Sequence, residues 1–196
     1  MLLSLLIVAL QTALPTDSTL TIVLAHGTPA EVQTRVQLER LLAEHDTSPW
    51  QFTSEVVIDA SAIPHSHPRL TLHTRHLRDD DLLLSTYLHE QLHWFLSERD
   101  SAADAAVRDL RQLFPTTPVG HPEGGSDETS NYHHLLVIYL EDRANRTLLG
   151  ELRAHQILEF WANDHYTWIY QTVRDRGVEI GRVVRDHGLL FPPGSR

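Results

Sequence analysis

Leu82-Leu83-Leu84-Ser85-Thr86-Tyr87-Leu88-His89-Glu90-Gln91-Leu92-His93-Trp94-Phe95-Leu96-Ser97 contains neither glycine nor proline and follows three acids, Asp79-Asp80-Asp81. Acids suit the positive end of a helix dipole, and the apolar groups that follow fall nearly all round, so the stretch predicts a central, buried helix. Within it His89 and His93 are four residues apart. That spacing puts both imidazoles on one helical face, about one turn apart, where both can reach a single metal ion. Glu90, beside the first of them, is then placed to take a proton from a water that zinc has made acidic near neutral pH.

N-terminal to this helix, Thr19 to Ala25 is rich in β-branched and aliphatic residues and stops at His26-Gly27, which predicts a buried strand closed by a turn. Thr28, Pro29 and Glu31 then supply an N-cap, a first-turn proline and the reciprocal acid of a capping box. Val32, Val36, Leu38, Leu41 and Leu42 form the expected apolar stripe of that helix. Two further strands are expected at 52–58 and 70–76, separated by the Pro64 to Pro68 loop. C-terminal to the central helix, periodicity predicts helices over 102–114, 131–149, 151–163, 166–176 and 179–187. The fold class is therefore α+β, a small N-terminal sheet followed by a helical half that carries the motif helix.

The chain has 196 residues and a formal charge of −10, with 41% apolar and 21% charged residues. Such a length suits one core and one domain, expected over 18–196, and so acidic a balance argues against a nucleic-acid partner. Leu2 to Leu10 is apolar but too short to span a bilayer. It predicts a signal peptide over 1–17 and an exported protein, periplasmic or extracellular. No Lys or Arg precedes the run, and if it is a buried strand or helix the protein is cytoplasmic. The absence of cysteine is compatible with either compartment.

A catalytic zinc takes three protein ligands and leaves the fourth position to water, so a third ligand is needed. His134 and Glu141 are seven residues apart in a helical stretch, two turns on one face, and either could serve. In one arrangement His134 binds the metal while Glu141 holds the free ring nitrogen of a motif histidine, and in the other the roles are reversed. His134 is favoured because a histidine leading so apolar a segment needs a partner if it is buried. The histidines at 65, 67, 73 and 76 fit a proline loop and an exposed strand, and a second metal is not expected. The glycine-rich loop Pro118 to Asp127 precedes the helix of His134 and is expected to form a lip over the cleft.

His89-Glu90-Gln91-Leu92-His93 resembles the HExxH signature of the zincin metallopeptidases, and the pattern is closest to the glutamate zincins. The resemblance covers this motif and the order of sheet then helices. It implies a zincin-like fold, a Zn2+ cofactor, a peptide or protein substrate, and Glu141 as the acid on a later helix that completes the site. It also implies a later His or Tyr that binds the oxyanion formed when water attacks a carbonyl, for which His165 and Tyr166 are the candidates. Hydrolysis of another amide or an ester would use the same residues, and a non-catalytic metal-binding or ligand-binding protein is the remaining alternative.

Overall fold

The computed structural model describes residues 20–190, so the segment expected as a signal peptide, 1–17, lies outside the described residues. Three short strands, β1 (Thr21–Leu24), β2 (Glu55–Ile58) and β3 (Leu70–Leu72), form one parallel sheet in the order β1-β2-β3. Thr21 pairs with Glu55 and Val56 with Leu70. Six α-helices are described: α1 (Pro29–Glu44), α2 (Asp80–Ser97), α3 (Asp100–Leu113), α4 (Glu128–Leu149), α5 (Glu151–Trp161) and α6 (Thr167–Asp186). The chain is thus α+β, with the sheet first and the helical half after it. Among the described residues no helix is long and apolar enough to cross a membrane.

The first strand departs from expectation. β1 is an edge strand paired only with β2, and it alternates between exposed and half-buried positions, with Val23 facing solvent. The buried strands are the other two, with Val56, Val57 and Ile58 of β2 and Leu70, Thr71 and Leu72 of β3 all removed from solvent. β3 stops at Leu72, four residues short of the expected end, and the chain then turns so that His73 and His76 enter the cleft described below. An exposed strand at 73–76 is therefore wrong, and His76 is buried against Phe160 and Trp161.

The capping box of α1 is formed as its residues predict, but its buried face keeps only the C-terminal part of the apolar stripe. Val32 and Val36 are exposed, while Glu31, Thr34, Gln37, Leu38 and Leu41 are buried. Gln37 supplies the reason, since its amide donates to the His76 carbonyl (3.1 Å) and to Asp80 (2.9 Å), joining α1 to the entrance of α2. The helices expected at 166–176 and 179–187 are one run in α6, bent at Arg176, whose backbone is non-helical (φ −124°, ψ 20°). Both halves bury a stripe, Ile169, Tyr170 and Val173 before the bend and Ile180, Val183 and Val184 after it. A common packing surface keeps the chain helical through the glycine that follows Arg176.

α2 lies at the centre, packed against α1, α3, α4, α5 and β3. Leu82, Leu83, Leu84, Tyr87, Leu88, Leu92, Phe95 and Leu96 are all buried on it. At about 1.5 to 3 kcal/mol for each large apolar side chain removed from water, their burial outweighs the cost of carrying His89, Glu90 and Gln91 inward on the same helix. Gln91, fully buried, accepts from the backbone amides of Phe52 (2.7 Å) and Thr53 (2.9 Å) and donates to the Thr53 carbonyl (3.2 Å). It ties the back of α2 to the chain entering β2 and fixes which side of the helix faces the cleft.

Glu31 closes the sheet end in a similar way. Its carboxylate accepts the backbone amides of His26 (3.1 Å), Thr28 (3.0 Å) and Ala60 (3.0 Å). Burial works to raise its pKa, but these three hydrogen bonds and the nearby His26 together hold it below the ordinary glutamate value of 4.5. A carboxyl depressed in the folded state stabilises the protein above its unfolded pKa and loses that contribution as pH falls through the folded value. Glu31→Gln should therefore lower the Tm most near neutral pH. The gap from wild type should narrow as pH is taken below about 4.5 in thermal unfolding followed by circular dichroism.

Candidate metal centre

The inner face of α2 carries His89, Glu90 and His93, and α4 crosses it with His134 and Glu141. His89, His93 and His134 each offer one ring nitrogen, and these three atoms lie within 4.8 Å of one another. The Nε2 atoms of His89 and His93 are 3.3 Å apart. Two nitrogens bound at about 2.0 to 2.1 Å to a tetrahedral zinc span about 3.3 to 3.4 Å, so this pair stands at the separation that a shared ion requires.

Hydrogen bonding assigns the lone pairs. His134 Nδ1 sits 2.7 Å from the Ser130 carbonyl, which can only accept, so the proton is on Nδ1 and Nε2 is free to bind a cation. His89 Nδ1 is 2.8 Å from Glu141 Oε2, with the same consequence. Glu141 is 2% exposed and also receives the hydroxyls of Ser85 and, at 3.2 Å, Tyr170. The direction at Ser85 is forced, since Trp161 Nε1 (3.1 Å) and Asn145 Nδ2 (3.3 Å) both donate to its oxygen, leaving its one hydrogen for Glu141. The structure therefore brings His134 beside the two motif histidines and sets Glu141 behind His89, where it orients a ring and does not share the convergence point.

The electrostatics favour lone-pair donors at His93 and His134. Burial and the charges of the other histidines push His93 well below the usual histidine value, and burial with the charge of His89 takes His134 down to about 3. Burial also disfavours charge on His89, but the hydrogen bond and charge of Glu141 overcome it and raise that pKa. Glu90 is pushed up to about 7 by burial, against the lowering influence of His89 and His65.

These groups open into a cleft of about 1040 Å³. One wall is the loop Ser61–Ser66, pinned where His65 exchanges two backbone hydrogen bonds with Thr71 (3.1 and 2.8 Å) and where Trp94 Nε1 donates to the Ser66 carbonyl (2.8 Å). The opposite wall includes Gly120, His121, Gly124, Gly125 and Ser126, so the glycine-rich loop does form a lip. Tyr166 lines the cleft with its ring 4.4 Å from that of His134, and burial followed by the charge of Glu90 raises its pKa. His165 is also in the cleft, its Nδ1 2.9 Å from Asp164, and Arg75 grips Asp164 with two hydrogen bonds from across the opening. Arg75 first, then His165, hold Asp164 down at about 2 against its partial burial.

Sequence reasoning missed Ser85, Tyr170, Trp161 and Asn145, the shell around Glu141. A signal for two of them was present, because Ser85 lies four residues before His89 and Asn145 four after Glu141, each on the same helical face as its partner. His65, His73 and His76 line the cleft, a role that neither the proline loop around His65 nor the alternation of His73 and His76 with Thr and Arg suggested.

The arrangement sets an order of effects on metal affinity. His134→Ala should abolish tight zinc binding in a chromophoric-chelator competition assay, since two imidazoles remain. Glu141→Ala should weaken it by about 10 to 100-fold, the usual cost of losing a group that orients a ligand. A larger loss for Glu141→Ala than for His134→Ala would reverse the two roles. No family model matches this chain, and no curated protein or solved structure is significantly similar to it.

Proposed function

We propose that the chain is a zinc-dependent hydrolase of the zincin type, a metallopeptidase. The observation that carries this reading is a set of three imidazole nitrogens that converge in one open cleft, whose lining also includes the buried carboxyl of Glu90, next in sequence to His89. A purely structural metal site needs no acid beside its ligands and leaves no open position.

His89, His93 and His134 would hold the ion, which supplies Lewis acidity to an attacking water and to the substrate carbonyl. Glu90 accepts the proton of the attacking water on its carboxylate and returns it to the leaving amine. A carboxyl whose pKa burial has moved to about 7 is suited to both transfers near neutral pH. Tyr166 keeps its hydroxyl proton and can donate it as a hydrogen bond to the carbonyl oxygen as charge develops there, with His165 on the same side of the cleft. The cleft lies at the upper end of the volumes that ligand pockets reach, which gives room for a peptide segment.

Glu90→Gln keeps the side chain's size but cannot accept the proton. In the zinc-loaded protein, cleavage of a fluorogenic peptide mixture should fall by about 100 to 10,000-fold while zinc content stays at the wild-type level. Wild-type turnover by this variant would remove Glu90 from the mechanism, and a chain that binds zinc yet cleaves no peptide would point to a metal-binding protein without this activity.

A further inference from the structure

We propose that Asn131 is a positioning residue for Tyr166, acting through the loop from Thr117 to Ser126. The proposal rests on the hydrolase reading only for what Tyr166 does; the mechanical connection stands on its own geometry.

Asn131 is fully buried in the first turn of α4, three residues before His134. Its amide is spent entirely on the loop. Oδ1 accepts the Gly125 amide (2.6 Å), while Nδ2 donates to Thr117 Oγ1 (2.9 Å) and to the Pro118 carbonyl (2.6 Å). One side chain thus draws together the two ends of the loop, which also closes on itself through Gly120 to Gly125 (2.9 Å) and Gly124 to Gly120 (2.8 Å). The approach is so close that only glycine fits. A Cβ on Gly124 would lie 2.1 Å from the Pro118 carbonyl oxygen, and one on Gly125 would lie 2.5 Å from Ser130 Oγ.

The far side of the loop caps α6. First-turn amides have no partner within their own helix, and Tyr166 provides no side-chain cap. The Pro122 carbonyl accepts from Thr167 (2.9 Å) and the Glu123 carbonyl from Trp168 (3.1 Å). Tyr166 itself has a left-handed backbone, φ 51° and ψ 36°, the one residue other than glycine with positive φ among those described. That conformation is unfavourable for a side-chain-bearing residue and persists only where its surroundings over-determine it. Here the constraint comes from the two loop carbonyls on one side and the Tyr170 amide, bonded to the Tyr166 carbonyl at 2.9 Å, on the other. Releasing the loop removes the first of these, and the ring is then no longer held over His134.

The test uses two variants of the full chain. Asn131→Ala deletes the three bonds; Gly124→Ala keeps the asparagine but drives a Cβ against the Pro118 carbonyl and the Asn131 amide, forcing the loop off both, so it serves if the first does not fold. Amide hydrogen exchange read by NMR without added metal should be at least about tenfold faster at Thr167 and Trp168 in the variants, with Val183 and Val184 unchanged. In the zinc-loaded protein, kcat for the peptide mixture should fall by about 100 to 1000-fold, as it should for Tyr166→Phe, with KM little altered. Asn131→Ala combined with Tyr166→Phe should be no slower than Tyr166→Phe alone. Unchanged exchange at Thr167 and Trp168 overturns the proposal, as does a double variant whose losses multiply. A wild-type protein that cleaves nothing sinks the hydrolase reading, while the exchange rates still decide whether Asn131 holds Tyr166.

Discussion

The carboxylate of Glu141 is the interaction on which the helical half depends. It sits on α4 with almost no solvent contact, and its donors come from α2 (Ser85 and His89) and α6 (Tyr170). Through Ser85 it also engages Trp161 of α5. An isolated charge in such a place would cost several kcal/mol, and the three donors offset that only while all of them keep their positions. The helices must therefore meet at one register, and that register is the one that turns the Nε2 atoms of His89 and His134 toward His93. Packing alone would tolerate small slips of leucine against leucine, whereas a buried carboxylate held by three donors does not.

Local chemistry was legible in the sequence, and long-range partnership was not. Spacing within one helix reported the His89 and His93 pair, and residue type at a helix start reported the Thr28 capping box, because both depend on neighbours a turn away. The choice between His134 and Glu141 depends on how α4 is rotated against α2. Residues on one helical face share a direction but not a depth, so periodicity left that choice open. The edge position of β1 was hidden for a similar reason, since strand order is decided by which crossover packs, and a strand of Thr, Ile, Val and Leu suits the centre or the edge. The exposed Val32 and Val36 of α1 show local pattern overridden, with Gln37 taking the inward place for the sake of two hydrogen bonds to distant residues.

The cleft has two walls of different construction, and neither is a free loop. On one side a loop lies along the edge of β3 and is fixed by backbone pairing and by Trp94. On the other, the glycine-rich loop is folded around the side chain of Asn131 and capped onto α6. Arg75 and Asp164 join the chain after β3 to the turn between α5 and α6, spanning the opening. Both walls are thus held by internal hydrogen bonds, an order that the proposed hydrolysis would use, because fixed dipoles act on a developing charge without having to reorient.

The carboxylate of Glu31 has a consequence for where chemistry can occur at all. The carboxyl end of a parallel sheet, facing the start of a helix, is where many α/β folds receive phosphates and other anions on unpaired backbone amides. Here the amides of His26, Thr28 and Ala60 are consumed by a side chain of the protein itself. The sheet end is thus self-liganded, carrying a permanent internal counterpart of the anion such folds usually recruit from outside. Those three amides are thus not open to an outside anion, and the converging imidazoles lie elsewhere, on α2 and α4.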